Sequence, residues 1–142
     1  MDTLKFKVDI IPEYFKRPPN LRISLNEKTL FDGRVEEPLN INKELEVEDD
    51  STYKLNFTLY GKTKYDTVIE NEEIIKDTLI KIDRIELDDI DITRSLSIET
   101  NNCYYIHDGS DEKHTFHDTM GVNGTSTIEF TTPFYVWLLE TL

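Results

Sequence analysis

Between Leu79 and Ile92 the chain reads LIKIDRIELDDIDI, with its apolar residues in pairs that each straddle one polar residue: Ile80 with Ile82, Ile85 with Leu87, Ile90 with Ile92. A period of two is that of a strand with one face in the core. A helix through Leu79, Ile82 and Ile85 is disfavoured, because the stretch is rich in poor helix formers and lacks a solvent face of Glu and Lys. At Asp83-Arg84 and Asp88-Asp89 the alternation slips by one residue. Such a slip turns the next apolar pair outward, so each place predicts a β-bulge or a bend between strands.

The same period recurs along the chain. Leu4, Phe6, Val8 and Ile10 share one face of a strand over Thr3 to Ile11 that Pro12 is expected to end. Pro12 to Asn20, with Pro18-Pro19 and the aromatics Tyr14 and Phe15, reads as a surface loop. Leu21, Ile23 and Leu25 alternate, and Thr29 to Val35 returns as a short strand. Leu39, Ile41, Leu45 and Val47 form another, with a bulge expected near Asn42-Lys43. Tyr53, Leu55, Phe57 and Leu59 alternate strictly, and Thr67 to Ile69 with Ile74-Ile75 predicts a hairpin around the acidic turn Glu70-Asn71-Glu72-Glu73. Further strands are expected at Leu96 to Ile98, Tyr104 to Ile106 and Thr125 to Thr131. Short strands between turns, with almost no helical period, predict an all-β chain: an antiparallel, jelly-roll-like β-sandwich spanning 1–142 as one domain.

The C-terminal tail 133–142 departs from this pattern. Thr132 is placed to cap a short helix with Pro133 at its first position, and Phe134, Trp137, Leu138 and Thr141 would share one side. So apolar a tail either seals the end of the sandwich or meets another chain.

A formal net charge of −13 repels phosphate backbones and disfavours nucleic acid as a partner. Cys103 is the one cysteine, which leaves no intrachain disulfide and no Cys-rich zinc site. MDTLKFKVDII lacks the layout of a signal peptide, and no apolar run approaches the ~18 residues of a membrane span. The expectation is synthesis and folding in a cytoplasm, without secretion or membrane contact.

Candidate chemistry is sparse. Asp88, Asp89 and Asp91 have the oxygen ligands that calcium takes, and alternation would put Asp89 and Asp91 on one side of a strand. Asp108-Gly109-Ser110-Asp111-Glu112 is a second oxygen-rich loop, without the EF-hand pattern. Solvated acidic turns are the simpler reading of both. His107, His114 and His117 fall within one short segment, where surface imidazoles are more common than a metal site. No nucleophile elbow, phosphate loop or thiol signature is present, so an enzyme is not expected and no catalytic residue is assigned. Among the aromatics, Tyr14, Phe15, Tyr60, Tyr65, Tyr104 and Tyr105 lie near strand ends or loops and are candidate contacts for glycan or protein.

Met120-Gly121-Val122-Asn123-Gly124-Thr125 and Ile128 to Glu140, IEFTTPFYVWLLE, resemble the ending of a group of small proteins from marine tailed bacteriophages. Tyr60-Gly61-Lys62-Thr63, Ile74-Ile75-Lys76-Asp77 and the Ile82-to-Ile92 strand fall in the same order as in that group, so the resemblance runs from about Tyr53 onward. The first twenty residues and the loop from Thr100 to Asp118 depart most from it. Members are similar to β-sandwich carbohydrate-binding modules of the calcium-dependent kind, and the group carries no catalytic motif.

The resemblance implies a non-enzymatic virion component, structural or accessory: a head decoration, a neck or tail-associated protein, or a fibre-tip domain. Its partners would be other virion proteins or further copies of itself, met through Phe134, Tyr135 and Trp137. A glycan-binding module with calcium on Asp88, Asp89 and Asp91 is the alternative. An intracellular effector that sets its acidic face on a basic host protein is the third.

Overall fold

A computed structural model of the chain describes residues 2–93, 102–116 and 118–141. In order come β1 (Asp2–Glu13), β2 (Asn20–Leu25), β3 (Lys28–Arg34), β4 (Leu39–Val47), β5 (Thr52–Tyr60) and a 3-10 turn (Lys64–Asp66). Then follow β6 (Val68–Glu70), β7 (Glu73–Lys76), β8 (Leu79–Leu87), β9 (Ile90–Asp91), β10 (Cys103–His107), β11 (His114–Thr115), β12 (Thr119–Met120), β13 (Gly124–Thr131) and α1 (Phe134–Thr141). One sheet runs β12-β8-β1-β4, with β9 also on β8, and the other runs β11-β10-β13-β5-β2-β3. The ladders are antiparallel, and the chain crosses repeatedly between the sheets. The expected all-β antiparallel sandwich is what these residues form.

Alternation explains the core. Leu4, Phe6, Val8 and Ile10 of β1 and Ile80, Ile82, Ile85 and Leu87 of β8 face Leu21 and Ile23 of β2, Leu55, Phe57 and Leu59 of β5, and Ile128 and Phe130 of β13. Phe6 and Phe57 meet across the two layers at 6.5 Å between ring centroids. Each such side chain taken out of water contributes about 1.5–3 kcal/mol.

Both slips of the central stretch are structural. Asp9 pairs with Arg84 and Ile10 with Ile82, so Asp83 is the extra residue of a bulge that returns Ile80 and Ile82 to the inner face. Asp88 and Asp89, with φ of 51° and 64°, make the two-residue turn into β9.

Three local expectations are corrected. Pro12 does not end β1, whose ladder to β8 runs on to Glu13 opposite Leu79. Beyond Ile10 the strand has lost β4 from its other side, and a strand with one neighbour tolerates a proline. No bulge interrupts β4 at Asn42-Lys43, because its register with β1 is continuous and the Lys43 ammonium reaches the Leu30 carbonyl at 2.9 Å. Thr132 does not cap α1: it accepts from the Ser51 amide at 3.1 Å and donates to the Glu48 carbonyl. The carbonyl of Pro133, which follows a cis peptide bond, accepts the first helical bonds, from Val136 and Trp137. The expected strand at Leu96 to Ile98 lies outside the described residues.

β6 and β7 stand apart as a two-stranded sheet of their own. The hairpin expected around Glu70 to Glu73 is therefore present, with Asn71 and Glu72 at its turn, both with positive φ. It is an arm, not part of either layer.

Candidate docking site

The neck of the arm is a knot of polar contacts. Thr67 donates to Asp77 Oδ1 at 2.7 Å, so the residue before β6 is bonded to the residue after β7. The same oxygen receives the Lys62 ammonium at 2.6 Å and the Thr78 amide at 2.8 Å. Burial alone would raise the Asp77 carboxyl, but the bonds from Lys62, Thr67 and Thr78 outweigh it and hold it below its usual range. Lys62 also reaches the Gly121 carbonyl, and its own amide and carbonyl are bonded by the Asn123 side chain.

Next to this knot, Arg17 grips the buried Asp66 with two parallel bonds of 2.9 and 2.8 Å, and donates to the Gly61 carbonyl at 3.0 Å. Asp66 closes a capping box with Thr63 over the 3-10 turn. The Arg17 bond, working against burial and aided by Thr63, lowers the Asp66 carboxyl to about 2. Two ion pairs thus fix how the arm leaves the sandwich.

Past the neck, the arm has nothing to bury its apolar residues against. Ile69, Ile74 and Ile75 are 64%, 63% and 51% exposed. Ile69 and Ile74 are register partners and so share a face, while Ile75 is the extra residue of a bulge opposite Val68 and Ile69. Glu70 and Glu73 face each other near the tip, beside Glu72, and none of the three is in an ion pair among the described residues. Where β1 and β8 cease to pair, at Glu13 and Leu79, β7 and the Tyr14-Phe15 loop diverge. An open cleft of about 450 Å³ lies between them, lined by Glu13, Tyr14, Phe15, Ile74, Ile75 and Lys76, with Asp77 and Leu79. Lys76 Nζ stands 5.8 Å from the centre of the Phe15 ring. Tyr14 is exposed and donates to the Glu36 carbonyl at 2.8 Å, which sets its ring at the cleft wall.

The sequence-predicted contacts divide sharply. Tyr14 and Phe15 are brought together at the cleft. Tyr104 and Tyr105 are buried, contrary to expectation: on opposite faces of β10, Tyr105 joins the core and Tyr104 lies under the Lys113 ammonium, 4.3 Å from its ring centre. Burial first, and then Glu129, pushes the Tyr104 hydroxyl up to about 12, and Tyr105 donates to the Val122 carbonyl. Phe134 is 1% exposed, contrary to a docking role, and it and the half-buried Trp137 pack edge-on against Phe130 at 5.5 and 6.2 Å. Tyr135 alone of that trio faces solvent. Tyr60 donates to Asp32 at 2.5 Å beneath the Arg22 guanidinium, and Tyr65 stands exposed at the 3-10 turn.

The three aspartates are not gathered on one side of a strand. Asp88 and Asp89 are the turn, where Asp88 accepts from the Lys5 amide at 2.9 Å and Asp89 lies 3.4 and 3.3 Å from the Lys5 and Lys7 ammonium groups. Lys7 first and then Lys5 lower the Asp89 carboxyl. Asp91 accepts from the Thr93 amide and hydroxyl at 3.0 and 2.6 Å and lies 3.6 Å from Arg84. Among the described residues no group of three or more His, Cys, Asp or Glu side chains is placed to hold a metal ion. His107 and His114 stack at 4.4 Å, and His117 lies outside the described residues.

The arm and its cleft are what sequence reasoning missed as a site. The signal was available: Ile74-Ile75 is an apolar doublet without period-two alternation, beside the acidic turn Glu70 to Glu73. No family model matches the chain, and neither the curated proteins nor the solved structures provide a match. No helix among the described residues is long and apolar enough to cross a membrane.

Proposed function

We propose that this chain is a non-enzymatic assembly component that docks on a basic protein surface through the β6–β7 arm and the cleft at its root. One observation carries the reading: three isoleucines stand half or more exposed on a hairpin whose neck is fixed by the Lys62–Asp77 and Arg17–Asp66 pairs. An isolated two-stranded hairpin is marginal in water, and an apolar one that is kept rigidly extended has its counterpart elsewhere. Covering the three isoleucines would contribute about 1 kcal/mol each or somewhat more. Glu70, Glu72 and Glu73 at the tip, without ion-pair partners among the described residues, favour, on a chain of net charge −13, a partner rich in lysine and arginine over a second copy.

The resemblance to tailed-phage proteins supports a neighbouring virion protein as the partner. Two of the segments that carry it, Tyr60 to Thr63 and Ile74 to Asp77, fold together as the neck and outer strand of the arm. The contact face proposed here is thus the arm, and the C-terminal residues support the fold behind it.

Quantitative mass spectrometry of gradient-purified particles of the encoding phage tests this. The expected result is the chain at a copy number matching a capsid or tail symmetry, and the loss of an Ile69→Thr/Ile74→Thr chain from particles. Particles without the parent chain, or with the variant at full copy number, would overturn the proposal.

A further inference from the structure

We propose that the arm takes its partner by strand addition, with an extended, lysine- or arginine-bearing segment pairing along the outer edge of β7. This rests on the docking reading above and adds the mode of binding and the chemistry of the bound segment. Among the described residues β6 is the one ladder partner of β7, so the backbone donors and acceptors on its other edge have no strand beside them. Sheet proteins usually protect such an edge by shortness, charged side chains, a proline, a bulge or a cover. β7 has its four-residue length, the Ile75 bulge and the charges of Glu73 and Lys76, but no covering strand among the described residues. The Glu73–Lys76 strand has no proline, and Lys76 reaches across the cleft to 5.8 Å from the centre of the Phe15 ring, a contact that a guest strand would displace.

The cleft has the shape that strand addition needs. Ile74, Ile75 and Lys76 form one wall, and Tyr14 and Phe15 the other. The wedge opens where β1 and β8 stop pairing, at Glu13 and Leu79, so a guest strand would add a third strand to the β6–β7 sheet beside the end of that ladder. Main-chain bonds along β7 would supply affinity, and alternate side chains would supply selectivity. Apolar residues of the guest would face Ile75, Tyr14 and Phe15. Basic residues would meet Glu13 and the tip glutamates Glu70, Glu72 and Glu73, which lack ion-pair partners among the described residues. The acidic tip and the overall charge of −13 also work against a second copy lending its own arm.

The probe is a short acetylated peptide of alternating valine and lysine, titrated into the full chain while backbone amide exchange is followed. The expected result is saturable slowing of exchange at Ile74 to Lys76, with binding at least about tenfold weaker when alternate peptide amides are N-methylated. Exchanging the peptide lysines for glutamate should weaken it similarly, and so should Glu70→Lys/Glu72→Lys/Glu73→Lys in the protein. Equal binding of the N-methylated peptide would overturn strand addition and leave docking by side chains standing. Slowed exchange at the edge strands β3 or β4 in place of β7 would overturn the site. Indifference to charge reversal would overturn the basic segment. Concentration-dependent protection of β7 with no peptide present would show that a second copy is the occupant. No binding at millimolar peptide would also overturn strand addition, and the docking reading would then be judged separately by particle incorporation of the Ile69→Thr/Ile74→Thr chain.

Discussion

The C-terminal helix and the β6–β7 arm are both short, apolar and outside the two sheets, yet they meet opposite fates. FYVWLLET folds back so that Phe134 and Trp137 close an aromatic cluster with Phe130, which Tyr53 extends at 6.0 Å. VIENEEIIK projects and leaves its isoleucines in water. Apolar content differs, six of eight residues against four of nine, but does not by itself decide burial, since Tyr135 and Leu139 of the helix are exposed too. What separates them is reach: α1 starts at the end of β13, whose Phe130 lies on the open end of the core, while the neck pairs hold the arm off the sandwich. Phe134 and Trp137 of the tail therefore belong to folding, while Tyr135, Leu139 and the isoleucines of the hairpin stay in water.

The most severe way to break this contrast is to remove the helix. A chain ending at Thr132 should lose its cooperative thermal transition, because Phe130 and Tyr53 would lie open at one end of the core. The milder Phe134→Ala should lower the unfolding free energy by about 3–5 kcal/mol in urea titrations. A truncated chain that melts like the parent would return the tail to the status of a docking peptide.

The neck comes next. Asp66→Asn should cost about 1–2 kcal/mol at neutral pH, at the low end because Arg17 is half exposed and solvent-screened. The carboxyl sits at about 2 in the fold against 3.8 ordinarily. A depressed carboxylate stabilises the fold above its unfolded pKa, and that stability is lost as pH falls through the folded one. Parent and variant should therefore differ most above about pH 4 and converge as pH approaches 2. Chemical denaturation at several pH values measures this, and a constant difference down to pH 2 would rule out the Arg17 pair as the cause.

What the chain's residues reveal on inspection follows from the same physics. Period-two alternation made β1, β2, β5, β8 and β13 legible, since each has one face in the core, and the slips at Asp83 and Asp88-Asp89 located a bulge and a turn. The tail and the arm were legible as elements but not in their exposure, which depends on distant partners: Phe130 for one, Lys62, Arg17 and Asn123 for the other. Of the predicted contact residues, Tyr14 and Phe15 line the cleft, on a loop that has no inner face to turn to. Tyr104 and Tyr105 are buried, Tyr105 in the core and Tyr104 under the Lys113 ammonium.

The contrast is sharpened at the arm itself. Ile69→Thr/Ile74→Thr should change the global unfolding free energy by no more than about 0.5 kcal/mol, as exposed substitutions do. The same pair should abolish incorporation into particles. A drop comparable to that of Phe134→Ala would mean that the isoleucines support the fold and that arm and helix are alike.

The smallest effect is expected at the β8–β9 turn, where the acidic residues are equally conspicuous in the sequence. Asp89 is bridged by two exposed lysines, and surface pairs of this kind contribute little to stability because solvent screens them. Asp89→Asn should therefore lower stability only slightly, and the difference should shrink further at high salt, because the pairs are open to counterions. Added millimolar calcium should leave the melting temperature of the parent unchanged, since a bound cation would have to displace the Lys5 and Lys7 ammonium groups and the Arg84 contact to Asp91. A calcium-dependent rise in melting temperature that Asp89→Asn removes would show that the turn rearranges around a metal, and would make the turn, not the arm, the place where this chain meets its ligand.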